Sequence, residues 1–272
     1  MIFHTEIYML VQYYNDKSDE RQNEIDYCFL KNLDHKNVKQ MINFCEQTTK
    51  IPDIIKKNEK FVNIPSNERL SFKTAIQFAN DHFPGKICCI CNADIFLDYD
   101  SKWNEASMIL NDKVVLALSR HEFDGVEKIY KDKELDKISH ANTQDAWLFR
   151  APLTIENHDF CIGAIGCDNA IADRLYKSNI LPINYSSRFK IIHYDLCRNK
   201  SNDNFIEIHE KHDKKNVHTK PELDGYRFLP DFDKFQKIED ICNFFGMNAH
   251  ERYDVICNIF NSKMRLNNKY SV

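Results

Sequence analysis

Ile87-Cys-Cys-Ile-Cys91 is an unbroken run of apolar or small residues between Lys86 and Asn92. A run without alternation predicts a strand buried on both faces, as in a parallel sheet. Upstream, Ile7 to Tyr14 predicts a first strand rich in apolar and aromatic residues, closed by the polar turn Asn15 to Asp19. From Glu20 to Leu33, Ile25, Phe29 and Leu33 recur at helical spacing with Cys28 beside them, and Ser18 or Asp19 is the expected cap. Val38 to Cys45 and Phe61 to Ile64 predict the second and third strands. A second helix is expected from about Glu68 to His82, capped by Ser66 or Asn67 and stopped by Pro84-Gly85. Strand and helix alternate, so the expected class is α/β, with a mostly parallel central sheet flanked by helices.

The pattern continues past Asp98. A helical stretch is expected around Trp103 to Asn111, and strands over Lys113 to Arg120, Ala146 to Phe149 and Phe189 to Tyr194. A helix is expected over Ala170 to Tyr176, capped by Asp168 or Asn169. Phe123 to His140 is charged and irregular, which reads as a loop. Ser201 to Lys220 is polar and reads as a linker. Tyr226 to Phe232 is expected to fold back on the core, followed by amphipathic helices over Glu239 to Phe245 and Ala249 to Phe260. The expected organisation is one α/β domain over residues 1–200, then a linker and helical extension over 201–272.

Composition narrows the chemistry. With 272 residues and 43% hydrophobic content the chain can bury a sizeable core. A net charge of -4 supplies no basic field for nucleic acid. No apolar run approaches the roughly 20 residues of a membrane span, and the first residues lack the pattern of a signal peptide. The ten cysteines are scattered, which suits free thiols in a reducing compartment. Cys88 and Cys91 have no second CxxC or CxxH pair, so core packing is the expected role. The six glycines form neither GxGxxG nor a P-loop, which disfavours a Rossmann dehydrogenase or a Walker-type NTPase. A nucleotide here would be held by side chains and a metal.

Candidate chemistry sits where strands end. In open α/β sheets ligands bind beyond the carboxyl ends of strands. Asn92 and Asp94 follow the Ile87 strand, and their i, i+2 spacing puts both side chains on one side of an extended segment. A carboxylate and a second oxygen there suit a hard cation such as Mg²⁺ or Mn²⁺; an ordinary loop-capping role is the alternative. Other residues are equally two-sided. Arg69 near a helix start can hold an anion or be solvated. Tyr13, Tyr14 and Trp147 suit a core as aromatic residues on strands. Asp168 can cap the helix that follows it, and a lone His193 on a strand is readily hydrogen-bonded.

Asn92-Ala-Asp94 after a hydrophobic strand resembles the DxD motif of nucleotide-sugar-dependent glycosyltransferases with the GT-A fold, departing from it where Asn92 replaces the first aspartate. The series Asn92/Asp94, Gln144/Asp145, Gly166/Asp168 and His193 follows the same order as in that family, over about Ile7 to Tyr194. The chain is similar in this to small members encoded by large DNA viruses and bacteria. The resemblance implies transfer of a sugar, from a UDP-linked donor, to a saccharide hydroxyl with inversion. It implies Mn²⁺ or Mg²⁺ on Asp94, with help from Asn92 and His193. It implies donor contacts from Gln12, Tyr13, Tyr14, Arg69, Asn92 and Arg120. Asp145, Trp147, Gly166 and Asn169 would line the sugar and acceptor pocket, and Asp168 would be the general base. A cytoplasmic setting, including that of a viral protein in its host, is the expected location. Two other classes stay open: a metal-dependent nucleotidyltransferase or phosphotransferase, and a glycan-binding protein without turnover on the same scaffold.

Overall fold

The Ile87–Cys91 run forms strand β4, buried at every position. The computed structural model describes residues 4–123, 129–130, 144–164, 166–199, 229, 231–235, 237–245 and 261. Before β4 come β1 (Ile7–Val11), α1 (Asp19–Asp34), β2 (Val38–Cys45), α2 (Asp53–Lys56), β3 (Phe61–Pro65) and α3 (Phe72–His82). After it come β5 (Ile95–Leu97), α4 (Ala106–Ile109), β6 (Val114–Phe123), β7 (Ile129–Tyr130) and β8 (Gln144–Arg150). The chain continues through α5 (Cys167–Lys177), β9 (Leu181–Ile183), β10 (Ile191–His193), α6 (Leu196–Asn199) and α7 (Ile238–Phe245).

The strands form one mixed sheet in the order β3-β2-β1-β4-β8-β6-β10-β5, with β7 and β9 also paired to β6. β3, β2, β1 and β4 are parallel, as the alternation of strand and helix predicts. The expectation of a mostly parallel sheet holds in part: beyond β4 the sheet is mixed, with β10 and β9 parallel to β6. β8 runs antiparallel to both β4 and β6, and β5 runs antiparallel to β10. The turn between β4 and β5 is only three residues, Asn92 to Asp94, too short for the crossover that a parallel return needs. These directions bring the C-terminal ends of β1, β4, β6 and β10 and the N-terminal ends of β5 and β8 to one edge.

Three boundaries depart from the sequence reading for long-range reasons. α3 starts at Phe72 with Ser71 as its cap, rather than at Glu68. The backbone before it is extended because Leu70 N–H donates to Gln12 Oε1 at 2.8 Å and Leu70 C=O accepts from Ile162 N–H at 3.0 Å. β6 runs on to Phe123, because Arg120 to Glu122 pair with β10. α5 starts at Cys167 with Gly166 as its left-handed N-cap (φ +80°), so neither Asp168 nor Asn169 caps it.

α1 shows how the core is knitted. Ser18 caps it by accepting from Arg21 N–H at 3.3 Å, and Asp19 and Glu20 favour the positive end of its dipole. Its buried face carries Ile25, Cys28, Phe29 and Leu33, but also Arg21, Glu24 and Asn32. Buried polar groups must be paired. Asn32 donates to Ile95 C=O at 2.8 Å and accepts from Leu97 N–H at 3.0 Å, which holds β5 against the helix. The described cysteines are free thiols, buried apart from a half-buried Cys197. No helix among the described residues is long and apolar enough to cross a membrane. Beyond 228, Leu229 and Phe232 are buried, with Leu229 C=O accepting from Asn184 Nδ2 at 2.8 Å and the Phe232 ring 5.5 Å from that of Tyr185. The expected helix over Ala249 to Phe260 lies outside the described residues.

His35, fully buried after α1, makes a first prediction. Burial dominates its environment and lowers its pKa from 6.5 to about 4. A histidine that folds neutral contributes its full stability above pH 6.5, and that contribution is lost as pH falls through 4. At about 1.4 kcal/mol per pKa unit this amounts to about 3 kcal/mol. In urea unfolding, the stability gap between wild type and His35→Gln should narrow by about that amount from pH 7 to pH 4. A gap that stays constant across those pH values would refute it.

Candidate active site at the strand ends

β4 delivers Asn92, Ala93 and Asp94 to the shared edge, in the turn before β5. Because β5 and β10 pair antiparallel, with His193 opposite Ile95, Tyr194 N–H donates to Asp94 C=O at 3.0 Å. That register sets His193 Nε2 3.3 Å from Asp94 Oδ2. β10 also pairs with β6, placing His193 opposite Glu122, and Nδ1 bonds to Glu122 Oε2 at 2.8 Å. Asp195 follows two residues on, its Oδ2 3.9 Å from His193 Nε2.

Asp94, His193 and Asp195 are buried, and one ligand atom from each lies within 4.8 Å of the others. Two carboxylates and an imidazole suit Mn²⁺, and the carboxylates suit Mg²⁺, so these residues fit the implied metal. Burial lowers the His193 pKa, but the neighbouring Asp94 outweighs it and raises it to about 9. Burial raises that of Glu122, but His193 and Arg120 outweigh it and hold it at about 2.

Asn92 stands outside this group. Its Nδ2 donates to Asp145 Oδ1 at 2.7 Å, and its backbone N–H donates to Asp145 C=O at 3.3 Å. Asp195, which the sequence reading did not single out, stands beside Asp94 and His193 instead. The departure from the DxD pattern also gains a reason, since an aspartate at 92 would set two carboxylates face to face. Asn92→Asp should destabilise the fold by about 1–3 kcal/mol and should not tighten Mn²⁺ binding. Thermal melts with Mn²⁺ titration check this; a tighter metal site with unchanged stability would contradict it.

Asp145 owes its position to a bulge. Leu118 pairs with Ala146 and Ser119 with Gln144, leaving Asp145 as the extra residue on β8. Bulges re-aim side chains, and this one puts Asp145 between Asn92 and Arg120, whose Nη1 lies 3.2 Å from Oδ2. Arg120 Nε also bonds to Glu122 Oε1 at 2.8 Å. A continuous polar chain therefore runs from Asn92 through Asp145, Arg120, Glu122 and His193 to Asp94.

Asp168 lies in the first turn of α5, half-buried, accepting from Cys167 Sγ at 3.1 Å. Burial raises its pKa well above the usual carboxylate range, and the Asp145 charge raises it further. Burial likewise raises that of Asp145, with Arg120 opposing. Asn169, beside it, is buried.

Arg69 joins the same edge. Ser71 and Cys161 form a bridge, which lays Gly163 (φ +69°) against Arg69 and Asn92. A Cβ at Gly163 would come within 3.0 Å of Arg69 Nη2 and 3.6 Å of Asn92 Oδ1, so glycine permits this approach. Gln12, expected to touch a nucleotide, directs its amide to Leu70 N–H and, at 3.4 Å, to Glu68 C=O, anchoring the segment that carries Arg69.

Two of the aromatic candidates lie in the core, the other side of their two-sided reading. Tyr13 is 1% exposed, with its ring edge-on to Phe29 and its hydroxyl donating to Asp26. Trp147 is 2% exposed and packs edge-on to Phe72. Neither presents a face for stacking, because both lie among core side chains of the sheet. Tyr14, at 39% exposure, does present one. It lines a cleft at the ends of β1 and β2 with Gln12, Asn15, Glu46, Thr48 and Thr49.

The sequence reading missed Arg21, Glu24, Glu122 and Asp195. Asp195 had a signal, since it stands two residues past His193 as Asp94 does past Asn92. Arg21 and Glu24 also had one, as charged residues on the apolar stripe of α1.

A mannosyltransferase from Pyrobaculum calidifontis, PcManGT, solved with GDP-Man and Mn²⁺, is similar over 99% of this chain and 77% of its own. The TM-score is 0.50 and the identity 12%. TarS from S. aureus is similar over 91% of this chain and 44% of its own, with a TM-score of 0.45 and 12% identity. No protein-family model and no curated protein matches the chain. What the chain shares with the mannosyltransferase is the fold, a mixed α/β architecture with a central sheet flanked by helices.

Proposed function

We propose that this chain is a metal-dependent glycosyltransferase of the GT-A kind. It transfers a sugar from a nucleotide-sugar donor to a saccharide hydroxyl, with inversion at the anomeric carbon. The observation that carries the reading is the convergence, at one sheet edge, of a buried Asp94–His193–Asp195 group and an Asp145–Asp168 pair, linked through Arg120. Either alone is ordinary. Together they offer a place for a leaving group and a place for an incoming one.

Asp94, His193 and Asp195 would hold Mn²⁺ or Mg²⁺. Such a cation, when bound, neutralises charge on a departing diphosphate. Arg69 and Arg120 meet the diphosphate and the sugar from the same edge, Arg120 steadied by Glu122 and Asp145. Tyr14 and its cleft receive the base. Asp145 accepts from sugar hydroxyls, and Gly166 and Asn169 flank the acceptor. Asp168 takes the proton of the attacking hydroxyl as the new C1–O bond forms and the bond to the diphosphate breaks.

UDP is the carrier the family resemblance implies. Thermal shifts with UDP, GDP, CDP and ADP, each with and without Mn²⁺, test the donor assignment. Binding to the native state raises the melting temperature by mass action. One diphosphate should stabilise the protein in a Mn²⁺-dependent way; no shift with any of them would overturn the reading.

A further inference from the structure

We infer that Arg21 is a positioning residue that holds the two acidic metal ligands at ligating separation; this rests on the metal reading above. Asp94 and Asp195 sit on different loops, one after β4 and one after β10. A single buried guanidinium, 3% exposed, reaches both. Arg21 Nη2 bonds to Asp94 Oδ2, and Nη1 lies 3.4 Å from Asp195 Oδ1. Nη1 also donates to Tyr194 C=O at 2.8 Å, between the two ligands His193 and Asp195.

Glu24, one helical turn along, completes the grip. Its Oε2 pairs with Arg21 Nη1 at 3.0 Å, while Oε1 accepts from Leu196 N–H at 2.8 Å and Cys197 N–H at 3.0 Å. Asp195 is therefore held on both sides by one face of α1. Only a planar fork with several donors can serve these directions at once, so lysine is no substitute.

Two effects of Arg21 on a divalent cation oppose each other. As a nearby positive charge it repels the cation; as a clamp it pre-forms the site. The geometry decides between them: Arg21 bonds to the loops of both Asp94 and Asp195, so its loss frees both acidic ligands at once. A carboxylate oxygen has two lone pairs, so Asp94 Oδ2 can accept from Arg21 and still face His193 Nε2. Pre-forming the site outweighs the repulsion.

The test is Mn²⁺ affinity, read from the electron paramagnetic resonance of free Mn²⁺ titrated into the metal-free full chain. Groups that orient metal ligands typically account for about 10–100-fold in affinity. Arg21→Met should weaken binding by about that factor, and Arg21→Lys, which keeps the charge but loses the fork, by about tenfold. Circular dichroism confirms that each variant is folded; if Arg21→Met does not fold, Arg21→Lys decides. Unchanged or tighter binding by a folded variant would overturn the inference, since a mere counter-charge predicts tighter binding on its removal. Wild-type protein that fails to bind Mn²⁺ would instead overturn the metal reading, and this inference with it.

Discussion

Asp94→Asn should lower kcat/KM by about a thousandfold, since loss of the cation's charge neutralisation amounts to several kcal/mol in the barrier. Asparagine keeps the shape and leaves an oxygen for Arg21, so the loss reflects charge rather than collapse. The effect should be specific. Mn²⁺ should no longer raise turnover, and Mn²⁺ affinity should fall, because Asp94 Oδ2 faces both His193 and Arg21. Alanine is the poorer probe, since it removes one of the three carboxylates around the buried Arg21 and leaves a void in its place. Product release followed across a Mn²⁺ titration checks the prediction. A variant with wild-type Mn²⁺ affinity would remove Asp94 from the metal site.

Asp168→Asn should lower kcat by about 10²–10⁴-fold, the usual contribution of a general base, while leaving donor binding intact. Stability should hold or improve, because the variant removes a carboxyl that burial and Asp145 both disfavour as an anion. The same environment predicts a pH profile. The rate should fall as pH drops through the pKa of Asp168, and this limb should lie above the usual carboxylate range. Asp145→Asn removes the neighbouring negative charge, so the limb should move to lower pH. A limb that does not move would separate the two carboxyls; an Asp168→Asn enzyme with most of its kcat would end the base assignment.

Local pattern and long-range pairing divide what could be read from the chain. β4 lies where its apolar run places it, Ile87–Cys91, because a strand buried on both faces has little choice of residue, and β2 spans Val38–Cys45 as read. The helical face of Ile25, Phe29 and Leu33 was equally plain. The start of α3 was not, because Leu70 is held extended by Gln12 and Ile162, partners 58 and 92 positions away. The antiparallel course of β8 and the bulge at Asp145 depend on how β6 and β8 register, which composition does not encode.

The candidate site divides in the same way. Asp94, Asp145, Asp168 and His193 stood out as polar residues at strand or helix ends, and the structure sets them along one edge. Tyr13 and Trp147 stood out for being aromatic, but aromatic residues at strand ends serve cores as readily as clefts, and both are buried. Arg21 went unread because a charged residue in the first turn of a helix is usually solvated. Its burial follows from where α1 packs, not from its own sequence.

The central claim is transfer, and the most direct measurement is turnover. The protein, with Mn²⁺, is incubated with a panel of nucleotide-sugars and oligosaccharide acceptors. Released nucleoside diphosphate is quantified, and the new linkage is read by NMR. The account predicts Mn²⁺-dependent release of one nucleoside diphosphate with an equal amount of glycoside of inverted anomeric configuration. Binding of glycan or nucleotide with no release above background would contradict it and leave a binding protein on a glycosyltransferase scaffold.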